Sequence, residues 1–217
     1  MVAKFDSSPE AEKETARIEA FSDGVIAIAI TLLVLDVKVP TAQELGGASL
    51  MRALLRQWPI YFAFVTSFLT ILIMWVNHHR MFRVIKYSDH WFLIINGLLL
   101  MSITLVPFPT ALLAEYIGHA YAPTAAAVYS GSFILIAILF NVMWRYASRG
   151  GRLLGAQHDR ELAATITKQY RFGPLLYVAA FALAFFSVAA SVGLCMALAV
   201  FFALPGTTKR ARVTAQH

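Results

Sequence analysis

Cysteine, charge and enzyme motifs are all scarce in this chain of 217 residues. Its one cysteine, Cys195, excludes an intrachain disulfide and lies in an apolar run, where it reads as a small buried or lipid-facing residue. Charged residues make up only 14% of the chain and hydrophobic ones 59%, far from the balance of a soluble domain. No His-Glu-x-x-His, Gly-x-Ser-x-Gly or phosphate-binding loop occurs, so nothing marks the chain as an enzyme. No polar stretch is long enough for a separate soluble catalytic or ligand-binding domain. Near the N-terminus Asp6, Glu10, Glu12 and Glu14 mix with Lys4 and Lys13. That is not the basic start of a cleavable signal peptide, and the first apolar helix is expected to act as its own uncleaved anchor.

What is present are apolar runs of about 17–25 residues, the length that crosses roughly 30 Å of hydrocarbon. They predict an all-α integral membrane protein with six transmembrane helices, near residues 18–39, 59–77, 91–114, 124–146, 173–189 and 190–205. The last two divide one stretch, Pro174 to Leu204, which as a single helix would be about 47 Å long. Ordinary tilt does not absorb such an excess, and a break around Ser187–Gly193 gives two short spans instead. With six spans, one side of the membrane holds every Lys and Arg except Lys38, Arg52 and Arg56. This positive-inside asymmetry puts both termini in the cytoplasm, and the net charge of +6 follows topology, not nucleic-acid binding.

The expected layout is a cytoplasmic segment over 1–16, a six-helix unit over 17–206 and a basic cytoplasmic tail over 207–217. Residues 40–57 form the longest outer connection. Its end sets Leu50, Met51, Leu54, Leu55 and Trp58 on one helical face beside Arg52 and Arg56, which fits a short interfacial helix and equally an amphipathic surface turn. The basic loop 147–172 has room for a helix across Asp159–Gln169.

The first span is the unusual one, because it carries Ser22 and Asp23 near its start and Thr31 in its middle. A carboxylate entering a bilayer costs several kcal/mol unless partnered, so Asp23 marks a candidate functional site. At 100° per residue Ile28, Leu32 and Leu35 share a face that Phe21 and Val25 continue, and Thr31 lies about 60° off it. Ser22 and Asp23 fall about 120° and 140° from Ile28, on opposite shoulders of the far side. The apolar stripe fits helix packing or lipid contact as well as a pore lining, and the polar pair fits a structural bond network as well as an ion path. Gly24, Ala27 and Ala29 permit close helix approach.

The pattern Arg17-x-x-x-Phe21-Ser22-Asp23, followed by Ala27-Ile28-x-x-Thr31-Leu32, resembles the signature of the lysosomal potassium-channel family called transmembrane protein 175, in its bacterial branch. Trp75-Val-Asn77-His78-His79 and Asn96 with Pro107-Phe108-Pro109-Thr110 extend the resemblance over most of the chain. It implies a homotetramer in the bacterial inner membrane whose first helices line a central path. It also implies a constriction at Ile28 with apolar layers at Leu32 and Leu35, and a potassium-coordinating layer at Thr31. The Ser22–Asp23 pair, with Arg17 and Phe21, would belong to a polar network that holds the pore helix. Asn77, Asn96, His78 and His79 are the partners available, the choice between the two histidines being open. No resident metal or cofactor is implied, only potassium in transit near Thr31.

The chain contains no Thr-Val-Gly-Tyr-Gly filter, so a carbonyl-ring filter of that kind is excluded. A hydrophobic constriction remains, favouring potassium over sodium modestly because potassium holds its water less tightly. No span carries the arginine series of a voltage sensor, so the expected activity is a weakly voltage-dependent leak. Two other functions are weighed against it. A secondary transporter would use Asp23 as coupling carboxylate, but no inverted repeat or paired midmembrane helix break is evident. A membrane enzyme would need Ser22, Asp23 and a histidine together, yet adjacent helical residues point about 100° apart.

Overall fold

Apolar runs this long must satisfy their backbone internally, and the chain does so with helices. The computed structural model describes residues 9–45, 49–155 and 159–204. Helix α1 (Pro9–Leu32) runs on as a 3-10 turn over Leu33–Asp36. The short helices α2 (Ala42–Leu45) and α3 (Leu50–Arg56) lead into α4 (Trp58–Phe82). Then come α5 (His90–Thr104), α6 (Pro107–Tyr116), α7 (Ala122–Ser148), α8 (Arg160–Tyr170), α9 (Gly173–Leu183) and α10 (Val188–Ala203). The sequence-predicted edges 1–8 and 205–217, the basic tail included, lie outside the described residues.

Among the described residues four stretches are long and apolar enough to cross a membrane: Lys13–Asp36, Trp58–Phe82, His90–Tyr116 and Ala122–Gly151. The third is α5 and α6 together. Pro107 has no N–H to give and its ring crowds the preceding turn, so the two helices meet at Leu105–Val106, where Val106 N–H turns to the Ile103 carbonyl in a 3-10 bond of 3.1 Å. Proline also occupies the first turn of α4, α6, α7 and α9, where no intrahelical donor is lost.

The final apolar stretch breaks earlier than the sequence pattern predicts. Helix α9 ends at Leu183 and α10 begins at Val188, with Ser187 accepting the Ala190 N–H as its N-cap. Gly193, the far edge of the expected break, lies inside α10. A capping hydroxyl decides the boundary because it answers an orphan donor of the first turn, whereas a glycine in an apolar helix merely lacks a side chain. The two helices run back along each other, with Ser191 Oγ donating to the Ala180 carbonyl (2.7 Å) and the Tyr177 and Phe202 rings stacked at 6.4 Å. At 11 and 16 residues they measure about 16 Å and 24 Å, shorter than the four stretches above.

Helix α7 is the hub, packed against α5, α6, α9 and α10. Its buried Tyr129, Phe133, Ile136, Met143 and Trp144 form the middle of the core. Inside it, Ser67 of α4 meets Thr110 of α6 at 2.7 Å and the Tyr129 hydroxyl at 3.4 Å. Helix α8 carries Asp159 as its N-cap and docks through Trp144 Nε1, which donates to Thr167 Oγ1 at 2.9 Å. The segment read as an interfacial helix or a surface turn is helical over α3, capped by Ser49, with Leu50, Met51 and Leu55 exposed.

At the end nearest the N-terminus the loops are tied together. Lys86 and Tyr87 N–H groups both donate to the Leu153 carbonyl, and Asp89 accepts from the Tyr146 hydroxyl (2.8 Å) and pairs with Arg152 (3.0 Å). Thr15 Oγ1 donates to the Lys86 carbonyl at 3.0 Å, which attaches the first turns of α1 to this loop platform. Helix α1 otherwise packs chiefly on α4 and α5, and among the described residues its Phe21–Ile28–Leu32 side is left exposed.

Candidate pore helix and its polar anchor

The two sides of α1 differ because two helical stripes run along it. Ser22, Ile26, Ala29 and Leu33, spaced four, three and four residues apart, are buried against the chain's own core. Phe21, Ile28, Leu32 and Leu35 face out, with relative exposures of 65%, 59%, 40% and 69%, and Val25 between them is half-buried. Thr31 lies on the exposed side and its hydroxyl donates to the Ile28 carbonyl at 2.8 Å. Of the small residues, only Ala29 meets the core. Ala27 and Gly24 are exposed, and a Cβ at Gly24 would find nothing within 4 Å. Among the described residues, the close approach that Gly24 and Ala27 permit is not used, since α4 and α5 pack on the other side of α1.

Two sets of bonds hold the inner stripe in register. In the first, Asn96 of α5 donates through Nδ2 to Ser22 Oγ (2.9 Å) and its Oδ1 accepts from His78 Nε2 of α4 (3.0 Å). Ser22 completes the chain by donating to the Ile18 carbonyl at 2.8 Å. With Asn96 Nδ2 spent on Ser22, its Oδ1 needs a donor, which assigns the His78 proton to Nε2. His78 Nδ1 is buried with no hydrogen-bond partner among the described residues, and the ring stacks on Phe82 at 4.6 Å.

In the second set, Trp75 Nε1 donates to Asp23 Oδ1 at 2.8 Å, a charge-assisted bond that answers the carboxylate at its entry into the apolar layer. One turn away His79 Nδ1 lies 2.7 Å from Glu19 Oε1, with the His79 ring stacked on Trp75 at 6.1 Å. Two carboxylates one turn apart on α1 thus meet an indole and an imidazole one turn apart on α4.

The two histidines take different partners: His78 reaches Ser22 through Asn96, and His79 takes Glu19. Asn77 belongs elsewhere, donating to the carbonyls of Ile73 (2.9 Å) and Phe202 (3.1 Å) and accepting from Arg80 at 3.4 Å. Arg17 and Phe21 are exposed and outside both sets. Trp75 and Glu19 were missed as partners by sequence reasoning; the matched four-residue spacings, Glu19 to Asp23 and Trp75 to His79, are the signal that points to them. Among the described residues no group of three or more His, Cys, Asp or Glu side chains is arranged to hold a metal ion.

The model of the family described as the endosomal/lysosomal potassium channel TMEM175 matches residues 17–107, a stretch that contains every residue of both bond sets. A potassium channel of Chamaesiphon minutus is 58% identical over 197 residues, covering 91% of this chain and 97% of the relative. The chain belongs to the TMEM175 family. A second relative, a potassium channel of Streptomyces collinus, is 44% identical over 87% of this chain and 91% of its own length. Among solved TMEM175 structures, the crystal structure of a lysosomal potassium-selective channel homologue from Chamaesiphon minutus superposes with a TM-score of 0.81 at 56% identity, covering 88% of this chain and 97% of that one.

Proposed function

We propose that this chain is a potassium-permeable, modestly selective leak cation channel whose filter is a hydrophobic constriction on α1. The observation that carries the reading is the division of α1 into an anchored polar-and-apolar inner face and an uncovered apolar outer stripe of Phe21, Ile28, Leu32 and Leu35. A bare apolar stripe on a rigidly held helix is what a narrow, dewettable passage requires once copies are arranged around an axis. The relatives' designation as potassium channels supports the same conclusion.

One α1 per chain cannot enclose a path, so the channel is a closed ring of copies, four by family resemblance. In that ring Ile28 forms the tightest layer, with Leu32 and Leu35 continuing it. Thr31, whose hydroxyl proton is committed to the Ile28 carbonyl, offers oxygen lone pairs to a partly dehydrated potassium ion. Selectivity arises from the lower cost of stripping water from potassium than from sodium. Ser22, Asp23, His78, His79, Asn96 and Trp75 position α1 and do not touch the ion. Helices α9 and α10 serve as the fifth and sixth spans, both termini lie in the cytoplasm, and the protein resides in the bacterial inner membrane. It is not an enzyme.

The test is the reversal potential of purified protein in a planar bilayer with potassium on one side and sodium on the other, for the parent and Ile28→Asn. The expected parent current reverses toward the potassium potential, and Ile28→Asn raises conductance and moves the reversal toward zero. Silence of both proteins beside a working control channel would sink the channel reading and leave the cation-coupled transporter to be assayed by proton-driven uptake. Conduction identical in parent and variant would remove Ile28 from the path.

A further inference from the structure

Beyond the C-terminal end of α1, cations far apart in sequence converge. Lys38, Arg52 and Arg56 line one half-enclosed pocket of about 280 Å³, with Gln57 beside them and Leu45 and Ile60 as apolar wall. Arg52 and Arg56 stand one turn apart on α3, a spacing at which like charges oppose the helix that bears them. Among the described residues none of the three cations has an ion-pair partner. Gln57 Oε1 already accepts from the Tyr61 hydroxyl at 3.2 Å, which leaves its amide N–H groups as the part free to bind. The polar side chains of the pocket therefore offer donors and positive charge.

We propose that this pocket binds a phosphate group. Two guanidinium forks and an ammonium present more charge and more donors than a monovalent anion can use, whereas phosphate carries up to two charges on oxygens that accept from several directions. The phosphate comes either from solution or from the headgroup of an anionic phospholipid, for which the exposed Leu50, Met51 and Leu55 of α3 offer an adjoining apolar surface. Orphan like charges on a seven-residue helix are accounted for once an anion sits among them.

The experiment is isothermal titration of the purified full-length chain, in uncharged detergent, with inorganic phosphate. It is run on the parent, Arg52→Gln/Arg56→Gln and Arg52→Lys/Arg56→Lys. The parent is expected to bind, the glutamine variant to bind at least about tenfold more weakly, and the lysine variant to recover most of the loss. Lys38→Gln, outside α3, carries the same test with about a threefold loss should the double variant not fold. In a second arm the protein is reconstituted with phosphatidylcholine containing phosphatidic acid and examined by native mass spectrometry. Phosphatidic acid retained by the parent and lost from the variant identifies the headgroup as the source, while phosphate binding with no retained lipid identifies the free anion. A parent that binds neither, or glutamine variants that bind as the parent does, would overturn the proposal. The readout is binding, so the result stands apart from whether the protein conducts.

Discussion

Trp75 and Asp23 are joined across the α1–α4 interface by an indole N–H that reaches the carboxylate at 2.8 Å, and one turn away on each helix His79 meets Glu19. Paired contacts at matched spacing set rotation as well as distance. Turning α1 by a single residue, 100°, would pull both carboxylates from their partners at once. The direction in which Ile28 and Thr31 face is therefore decided on the opposite side of the helix.

Trp75→Phe keeps the ring and deletes the N–H, leaving Asp23 without its donor. The expected loss is about 1.5–3 kcal/mol, read as lower thermal stability in detergent. Asp23→Ala should reduce the yield of assembled protein more than it changes ion selectivity. A double-mutant cycle between the two should give a coupling of about 1 kcal/mol or more, and a coupling near zero would mean that the bond does not hold α1.

Asn96→Leu removes the link between Ser22 and His78 and strands the buried His78 Nε2–H, while Ser22 keeps its bond to the Ile18 carbonyl. A buried donor left unpaired costs about 1–3 kcal/mol, and the variant is expected to lose stability by that amount. Stability equal to the parent's, by fluorescence-monitored unfolding, would contradict the Ser22–Asn96–His78 chain.

Thr31→Val preserves shape and exposes no new buried surface, since Thr31 lies outside the core. Assembly should be unchanged and the preference for potassium over sodium reduced. Bi-ionic reversal potentials that match the parent's would dismiss a role for the hydroxyl.

Ser187→Ala deletes the N-cap of α10. The expected cost is about 1 kcal/mol, with local loosening where α9 turns into α10. Amide exchange faster at residues 188–191 than in the parent, with the rest of the chain unaltered, is the measurement that checks it.

Much of the fold was legible because an apolar run must be helical in lipid and its length reports whether it crosses. The runs that become α1, α4, α5 with α6, and α7 are of this kind, and Asp159 marked the start of α8 by the same local chemistry that caps any helix. The α9–α10 boundary was displaced because an apolar stretch carries little periodic signal, and a single hydroxyl at Ser187 outweighed Gly193. Ser22 and Asp23 announced themselves, since a polar pair in such a helix demands partners. Which partners was a different matter. Trp75 passes in sequence for an ordinary apolar residue of a span, and His78 and His79 are neighbours that point to different elements.

The sequence by itself determined the membrane class, the helical stripe of Ile28, Leu32 and Leu35, the polar pair beside it, and the family. Hydropathy, spacing and an unusual signature are local properties that survive without coordinates. Only the tertiary structure decided that Asn96 bridges Ser22 to His78, that Trp75 and Glu19 complete the anchor, that Gly24 lies on the exposed side of α1, and that Lys38 comes to rest beside Arg52 and Arg56. These relationships join residues on separate elements, and a hydrogen bond or a pocket depends on where packing brings each side chain, which no spacing along one helix encodes.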